Sequence, residues 1–275
     1  MRILITGITS ALGSAIADSL EGHEVIGLAR REHEGYPTIC CDLRAALPRL
    51  PEVDVCLHLA FANDPRYCKE HSGEAHRINV LATKQLLKIA SRFVFISSGS
   101  VCGFQDGLSS ETVVPAPADD YARMKLEAEN VVASHQRRAV LRWFYPYGPG
   151  TKPESLVNRL IRRVEADEEI PLHNDGRPCI NPIFITDLVA ATRVFCVGHL
   201  EGVYNVAGRE VVSIEELARL IGEAVGRRPI FRMTGQPIQD MAGSTAKLSE
   251  FYRPKVSLQD GLSRTVHSLL GEMRR

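Results

Sequence analysis

Short apolar runs alternate with segments of helical periodicity along the first half of the chain. Arg2–Thr6 (RILIT) predicts a buried strand, and Leu12, Ile16 and Leu20 lie on one stripe of the helix predicted over Ser10–Glu21. Further strands are predicted at His23–Leu28, Thr38–Cys41, Asp54–Leu59, Arg92–Ser97 and Ala139–Phe144, and further helices at about Gly73–Ser91 and Tyr121–His135. Almost continuously apolar strands separated by helices are typical of a parallel sheet covered on both faces. We therefore predict an α/β fold with a doubly wound parallel sheet.

The regular alternation of apolar strands and helices ends after Gly148-Pro149-Gly150. A helix is predicted over about Glu154–Ala166, Ile183–Ile185 resembles a strand of the sheet, and S-I-E-E from Ser213 predicts a capped helix start. The pattern divides the chain into a unit over residues 1–150, to which a segment at about 181–199 returns, and a smaller α/β unit over about 151–180 and 200–275.

Composition and charge narrow the range of partners. The 275 residues are 44% hydrophobic and 24% charged, which is typical of a globular protein. Because 33 basic side chains balance 33 acidic ones, net charge favours neither nucleic acid nor a membrane surface as a partner. The seven cysteines follow no disulfide or metal-ligand spacing, and the opening MRILITG reads as a strand rather than a signal peptide. We expect a cytoplasmic protein without a metal site.

The first predicted strand leads directly into a loop that opens the first helix. Glycines in such a loop let backbone N–H groups approach a pyrophosphate at the helix N-terminus, which favours an anion. An ordinary strand–helix turn would also carry glycines, but the first such turn of a doubly wound sheet is where dinucleotides bind. Ser10 replaces the expected middle glycine and is small enough to be tolerated. The predicted cofactor-binding residues of this loop are Gly7, Thr9, Ser10, Ala11, Leu12 and Gly13.

The end of the second predicted strand bears on the choice between NAD and NADP. A carboxylate at this place binds the ribose of NAD, whereas an arginine holds the additional 2′-phosphate of NADP. The chain has Arg30 and Arg31 there, with no acidic residue before Glu32. We therefore expect NADP(H) to be favoured, with NAD(H) as the alternative and a solvated basic turn as the interpretation without function.

A candidate catalytic group combines two segments. Ser98 lies where the fifth strand is predicted to end, and Tyr121 and Lys125 share one face of a later helix through their i, i+4 spacing. An ammonium beside a phenol stabilises the phenolate, so Lys125 is expected to lower the pKa of Tyr121 toward neutrality. Tyr121 would then exchange a proton with an alcohol or carbonyl that Ser98 also binds. The Tyr–Lys spacing alone also occurs by chance.

These features occur together with others in an order that resembles one family, the extended short-chain dehydrogenases/reductases, or NAD-dependent epimerase/dehydratase group. The resemblance runs nearly end to end and implies a Rossmann fold with a smaller substrate-binding C-terminal portion. The matching segments are Thr6–Gly13, Cys41-Asp42-Leu43, His58-Leu59-Ala60, Asn79, Ser97–Gly103, Tyr121 with Lys125, Tyr147–Gly150, Ile185–Leu188, Tyr204–Gly208 and Pro254–Leu258.

The resemblance implies roles for further residues. Asp42 would accept a hydrogen bond from the adenine amino group, with Leu43 beside the ring. Leu59 and Ala60 would line the pyrophosphate and the nicotinamide ribose, whose hydroxyls Lys125 would bind. Two residues remain open between function and plain packing: Asn79, at a helix bend with a water chain, and Phe144, near the nicotinamide.

The chain departs from the family pattern where a substrate diphosphate would bind. Tyr145 stands where sugar-nucleotide enzymes of the family usually carry Asn, and Ile180 stands where they often carry Arg. Arg177 and Arg232 are the nearest candidates to replace these contacts, and each is also consistent with an ordinary surface charge. Gly99-Ser100 replaces the Asp-Glu pair of the dehydratases, which argues against elimination chemistry.

The sequence therefore predicts an NAD(P)-dependent oxidoreductase or epimerase acting on a secondary alcohol or ketone, first a sugar or sugar nucleotide. An NADPH-dependent reductase of a non-nucleotide ketone or natural-product intermediate is the alternative. A non-catalytic regulator sensing NADP(H) is a third hypothesis, against which the presence of both Tyr121 and Lys125 argues. By resemblance we also expect a homodimer that pairs through the helices at about Gly73–Ser91 and Tyr121–His135.

Overall fold

A computed structural model describes residues 1–173, 176–235 and 238–273 of the chain. The chain forms two compact units, and each of them combines separate stretches of sequence. The first unit comprises Met1–Val101, Pro115–Arg142 and Thr192–Tyr204, and the second comprises Cys102–Val114, Trp143–Ala191 and Asn205–Arg275.

Strands and helices alternate through the chain. In chain order the strands are β1 (Arg2–Thr6), β2 (Glu24–Ala29), β3 (Thr38–Cys40), β4 (Val53–His58), β5 (Ala90–Ser98), β6 (Leu108–Ser109), β7 (Arg138–Trp143), β8 (Pro146–Tyr147), β9 (Glu169–Leu172), β10 (Cys179–Ile180), β11 (Ile183–Phe184), β12 (Gly202–Val206), β13 (Val212–Ser213), β14 (Ile230–Met233) and β15 (Ala242–Gly243). The α-helices are α1 (Ala11–Asp18), α2 (Pro65–Glu70), α3 (Ser72–His76), α4 (Ala82–Leu86), α5 (Asp120–Val132), α6 (Leu156–Glu165), α7 (Ile185–Val197), α8 (Ile214–Val225) and α9 (Leu258–Met273).

The main sheet has seven strands in the order β12-β7-β5-β4-β1-β2-β3. β1 pairs in parallel with β2 on one side and with β4 on the other, which makes it a central strand, and central parallel strands are covered by helices on both faces. Ile3, Leu4 and Ile5 are accordingly fully buried. This order confirms the predicted α/β fold with a Rossmann-like parallel sheet. It also places the strand order's reversal between β1 and β4, where such sheets bind ligands outside the carboxyl ends of their strands.

A π-helical turn, Arg77–Leu81, joins α3 to α4. The sequence predicted one helix over about Gly73–Ser91, and this prediction extends too far. A short 3₁₀ turn follows α4, and β5 already begins at Ala90, where it pairs with Val53 of β4. The apolar residues Leu87 and Ile89 continue the helical pattern, but strand pairing determines the structure there.

The second unit has its own apolar core, contributed mainly by α6, α8 and α9. The predicted capping box at the start of α8 is present, because the Ser213 and Glu216 side chains each bind the other's backbone N–H. Ile183–Ile185 was predicted as part of the main sheet, which is wrong. Ile183 and Phe184 instead pair with β8 in a separate two-stranded sheet.

Candidate active site

Residues 7–13, from the end of β1 to the first turn of α1, form a tight backbone loop that we call the cradle. Gly7 has φ +74°, a conformation that side chains rarely adopt, and its N–H donates to Leu28 O at 2.8 Å. A Cβ on Gly7 would lie 3.3 Å from the backbone N of Ala60, and a Cβ on Gly13 would lie 2.4 Å from the carbonyl oxygen of Gly7. Both positions therefore need glycine to keep the loop closed against the ends of β2 and β4.

Ser10, which replaces the usual middle glycine, caps α1. Its Oγ accepts a hydrogen bond from Gly13 N at 3.0 Å and donates one to Gly7 O at 2.8 Å. The first N–H groups of a helix have no carbonyl partner within it, so those of Ala11 and Leu12 remain available to an anion. Ser10 and Ala11 are exposed, and Thr9 and Leu12 are half-buried.

The residues after β2 and β3 form a charged group at the same edge of the sheet. Arg30 and Arg31 are exposed. Asp42 accepts from the Arg44 side chain, with the shortest contact 2.6 Å from Nη2 to Oδ2. The hydrogen bonds from Arg44 lower the pKa of Asp42, and the charge of Arg30 lowers it further. Leu43 packs against the apolar core beneath the sheet.

Beside the cradle, buried hydrogen bonds run in one direction through His58. Thr83 Oγ1 donates to Asn79 O at 2.7 Å, so it must accept the proton of His58 Nε2 at 2.9 Å. His58 Nδ1 then accepts from Thr6 Oγ1 at 2.7 Å, and Thr6 Oγ1 accepts from Ala60 N at 2.9 Å. Burial, followed by the charge of Lys125, lowers the pKa of His58 to about 3. His58 is therefore a neutral connector between the loop and the π turn.

Asn79, predicted at a helix bend, lies within the π turn and is fully buried. Its Oδ1 accepts from Ala62 N at 2.7 Å, and its Nδ2 donates to Ala62 O at 3.2 Å. These two bonds fix the segment that follows β4, in which Leu59 and Ala60 lie.

The predicted catalytic residues come together in the first unit. Ser98 is the last residue of β5, and Tyr121 lies in the first turn of α5, which Asp119 caps by accepting from Ala122 N at 2.7 Å. Ser98 hydrogen-bonds Tyr121. One turn further along α5, the Lys125 side chain is buried and its Nζ donates to Ile96 O at 2.5 Å.

The sequence predicts that the pKa of Tyr121 is lowered, and this prediction is wrong for the protein without a bound cofactor or substrate. Burial raises the pKa of Tyr121 to about 12, although the hydrogen bond from Ser98 acts to lower it. Burial also lowers the pKa of Lys125 to about 7, against the attraction of Glu129. The spacing correctly placed the two side chains on one helix face, but burial is the largest cause of the pKa shift of each.

Two contacts of this group were missed from the sequence. Phe61 lies with its ring centroid 3.6 Å from Lys125 Nζ and packs edge-on against Tyr121. Ser100 Oγ donates to Ser98 Oγ at 2.8 Å and so fixes the Ser98 hydroxyl. The position of Phe61 three residues after β4 was a signal for the first, because the carboxyl ends of parallel strands meet at one edge.

The second unit contains the remaining predicted residues. Phe144 is buried in a small cluster with Cys102 and Ala207. Its ring would lie 2.6 Å from a Cβ on Gly243. Tyr145 has φ 45°, and its hydroxyl donates to Met241 Sδ at 3.0 Å. Its side chain is therefore anchored within its own unit.

Both candidate diphosphate-binding arginines have carboxylate partners. Arg177 Nη1 lies 3.0 Å from Asp240 Oδ2, and Arg232 Nε lies 3.3 Å from Glu169 Oε2. Asp240 is itself fixed, because its Oδ1 accepts from Cys179 N at 2.8 Å. The Arg232 pair joins the adjacent strands β9 and β14 at the surface.

Within residues 1–173, 176–235 and 238–273, no three His, Cys, Asp or Glu side chains are grouped so that they could hold a metal ion. The same part of the chain has no helix that is both long and apolar enough to cross a bilayer.

The profile of the NAD dependent epimerase/dehydratase family matches residues 3–207, which include the cradle and the Ser98–Tyr121–Lys125 group. The chain belongs to this family. Among its relatives is YtcB of Bacillus subtilis (strain 168), described as an uncharacterized UDP-glucose epimerase. The two are 28% identical over 97% of each chain. A probable UDP-glucuronate 4-epimerase of Rhizobium meliloti (strain 1021) is 25% identical, over 97% of this chain and 96% of that protein.

Solved structures agree with this assignment. MoeE5, solved in complex with UDP-glucose and NAD, superposes with a TM-score of 0.84 at 25% identity and covers 99% of this chain and 100% of its own. The UDP-glucuronic acid 4-epimerase of Bacillus cereus, solved with NAD, has a TM-score of 0.85 at 23% identity, covering 100% and 98%. The similarity to the Bacillus cereus enzyme, at 23% identity, establishes the shared fold.

Proposed function

We propose that this protein is an NAD-dependent epimerase that acts on a secondary hydroxyl of a UDP-sugar. One observation carries the proposal: Ser98, Tyr121 and Lys125 form one hydrogen-bonded and packed group in the unit that also holds the glycine cradle. The substrate class comes from the relatives, because YtcB and the probable UDP-glucuronate 4-epimerase of Rhizobium meliloti match the chain over nearly its whole length.

The cradle fits a dinucleotide on its own geometry. Gly7 and Gly13 leave open the space that Cβ atoms would fill, and the start of α1 presents N–H groups suited to a pyrophosphate. When bound, NAD would supply the acceptor and donor of a hydride. Tyr121 would accept the proton of the substrate hydroxyl and later return it, while Ser98 holds the same oxygen by a hydrogen bond. Lys125 in its ammonium form would favour the phenolate.

We assign NAD(H) as the cofactor. Arg30 and Arg31 predicted a preference for NADP(H), which the comparisons do not support, since MoeE5 was solved with NAD. Arg30 acts electrostatically on Asp42, so its charge has a partner other than a 2′-phosphate. Titration of the purified protein with NADH and NADPH, followed by nicotinamide fluorescence, tests this assignment. Tighter binding of NADPH would overturn it.

Epimerisation fits the group better than dehydration. Gly99 and Ser100 stand where the sequence pattern of dehydratases has two acidic residues, and Ser100 uses its hydroxyl to bind Ser98. Within this group no carboxylate is therefore placed next to Ser98 in sequence to serve as the acid for loss of water. Retention of bound NAD between turnovers is the expected property of an epimerase.

A reductase of a non-nucleotide ketone is the second candidate. Tyr145 and Ile180 replace the residues expected to bind a diphosphate, and Arg177 and Arg232 are already paired with carboxylates. If this candidate is correct, the protein will oxidise NADPH or NADH with ketones and leave UDP-sugars unchanged.

Product analysis separates the two candidates. The protein is incubated with NAD⁺ and, separately, with UDP-glucose and UDP-glucuronic acid, and the sugar is analysed by proton NMR. We expect a second epimer to appear without net consumption of NAD⁺, and expect none with the Tyr121→Phe variant. Unchanged sugar in both incubations, with NAD⁺ bound, would contradict the epimerase assignment.

The proposal also covers the roles of the two units, the oligomeric state and the cellular location. The first unit would bind the dinucleotide, and the second unit would bind the substrate. A homodimer would form through α5 and the helical segment that runs from α3 through the π turn to α4, in which Leu81 is 44% exposed. Light scattering of the wild type and of Leu81→Lys tests the dimer.

Cytoplasmic location is supported by seven cysteines that are all free.

A further inference from the structure

A buried carboxylate next to the proposed catalytic group has no part in the proposed reaction. Glu129 follows Lys125 by one turn of α5, and its side chain is only 7% exposed. Ser97 Oγ donates to its Oε1 at 2.5 Å. Arg142 donates to both carboxylate oxygens, from Nε at 3.0 Å and from Nη2 at 2.7 Å.

These bonds connect the elements that carry the catalytic residues. Ser97 immediately precedes Ser98 at the end of β5, and Arg142 belongs to β7, the neighbouring strand of the sheet. Glu129 therefore ties β5 and β7 to the helix that carries Tyr121 and Lys125. A shift of α5 along the sheet would break three hydrogen bonds to a buried charge, which is costly.

Glu129 lies at the i+4 position from Lys125 on α5, and its negative charge acts to raise the pKa of Lys125 against the effect of burial. The groups that face Lys125 are Tyr121 and Glu129 of its own helix, Cys68 of α2, His58 of β4, and the Phe61 and Phe95 rings. His58 is neutral, and the thiol and the phenol are uncharged near neutral pH. Among these groups, Glu129 alone supplies a full negative charge.

We infer that Glu129 and Arg142 are a positioning pair: Glu129 holds Ser98 and Lys125 in register and keeps the Lys125 ammonium charged, while Arg142 limits the strength of that attraction. The inference rests on the proposed function only for its catalytic consequence. The electrostatic part concerns the protein alone.

A buried ion pair with a purely structural role would respond differently to substitution. Loss of either partner would then disturb the site in the same way. The electrostatic role requires opposite responses. Glu129→Gln removes the negative charge and leaves the positive charge of Arg142 without that carboxylate, so Lys125 loses its proton more easily. Arg142→Gln leaves Lys125 as the nearby cation for Glu129, so Lys125 holds its proton more firmly.

Carbon-13 NMR of lysine labelled at Cε measures this without any substrate. The chain has only seven lysines, and the Lys125 signal is identified by its loss in Lys125→Met. We expect Glu129→Gln to lower the pKa of Lys125 by about one unit or more, and Arg142→Gln to raise it by at least about half a unit. Glu129→Asp keeps the charge and should leave the pKa of Lys125 nearer to that of the wild type.

Unchanged titration in Glu129→Gln, or a downward shift in both Gln variants, would overturn the inference. If Glu129→Gln does not fold, Arg142→Gln is compared with Arg142→Lys, which keeps the positive charge. A higher pKa of Lys125 in Arg142→Gln supports the inference, and equal values overturn it.

Activity then provides a separate result. In Glu129→Gln the pH profile of turnover should shift in the same direction as the Lys125 titration. An inactive wild type with the expected NMR shifts would refute the proposed function and leave the charge pair standing. An active wild type without those shifts would refute the charge pair alone.

Discussion

The two units differ in what their predicted functional residues contact. In the first unit, Ser98, Tyr121 and Lys125 contact one another or the segments that carry them, and these contacts form one continuous group. In the second unit, Tyr145 and Arg177 bind Met241 and Asp240, neither of which was predicted to have a role. The candidate reactive residues of the first unit therefore lie in short motifs, whereas the candidate substrate residues of the second unit are held by contacts with residues distant in sequence.

Burial also differs between the two sets. Lys125 is 3% exposed and has a pKa lowered to about 7, whereas the Arg232 side chain is 59% exposed in its ion pair. A buried cation without a direct carboxylate partner is costly and is usually retained for function. An exposed ion pair contributes little. The substitutions below test this difference, beginning with the largest expected effect.

Two tyrosines, one from each unit, give the sharpest contrast. Tyr121→Phe should lower kcat by about a hundred- to ten-thousand-fold, because it removes the proton-transfer group, and NAD⁺ affinity should stay within about threefold. Tyr145→Phe removes only the hydrogen bond to Met241 and should change kcat by less than about threefold. Steady-state assays on both variants measure this. Equal losses would mean that the comparison between the units is wrong.

The second-largest effect is expected on NAD⁺ affinity, when an added side chain obstructs the cradle. In Gly13→Ala the new Cβ would meet Gly7 O at 2.4 Å, so the loop must open and its anion-binding N–H groups move. Loss of two such hydrogen bonds predicts about a hundredfold weaker NAD⁺ binding by calorimetry. Gly73→Ala, where no atom lies within 4 Å of the new Cβ, is the matched control. Undiminished binding in Gly13→Ala would rule out this loop as the site.

Stability should improve when the buried ammonium is removed. Because burial lowers the pKa of Lys125 from 10.5 to about 7, the folded state binds fewer protons than the unfolded state between these values. The cost of burial is then fully present below pH 7 and fades as pH rises toward 10.5. Lys125→Met should raise the free energy of unfolding by about 2 kcal/mol at pH 6, less than the full linkage because a hydrogen bond is lost.

Urea unfolding at pH 6 and at about pH 9.5 measures this gain, which should shrink at the higher pH. The exposed Lys88→Met serves as the control and should change stability by less than about 0.5 kcal/mol at either pH. A gain that does not depend on pH would show that the Lys125 charge is not the cause.

The smallest effects are expected in the second unit. Arg232→Ala should change stability by less than about 1 kcal/mol, because the pair with Glu169 is exposed. Arg177→Met and Arg232→Ala should each change KM for a UDP-sugar by less than about threefold, since both guanidiniums are already paired. A tenfold rise in KM at unchanged kcat would identify that arginine as a substrate contact.

The sequence was sufficient for six of the seven strands of the main sheet and for the position of the proposed catalytic group, but it did not predict β12. Buried parallel strands are continuous apolar runs, so the predicted Asp54–Leu59 lies within one residue of β4 at each end. The i, i+4 spacing of Tyr121 and Lys125 correctly predicts a shared helix face. Both inferences depend only on neighbours in sequence.

What the sequence could not provide depends on long-range contacts. Glu129 stands four residues after Lys125 on α5, but its partner Arg142 lies on strand β7, and nothing local marks the pair as buried. The raised pKa of Tyr121 likewise follows from exclusion of water by distant segments. Two-residue strands such as β8 and β11 are too short to produce a pattern.

Reduction of bound nicotinamide is the most direct test of the central claim that Tyr121 acts on a sugar hydroxyl beside NAD. The protein loaded with NAD⁺ is mixed with UDP-glucose or UDP-glucuronic acid, and nicotinamide fluorescence is followed in a single turnover. We predict a transient signal in the wild type that is slowed at least about a hundredfold in Tyr121→Phe at equal NAD⁺ occupancy. Conversion of the sugar without any such signal, or at the same rate in both proteins, would contradict the claim.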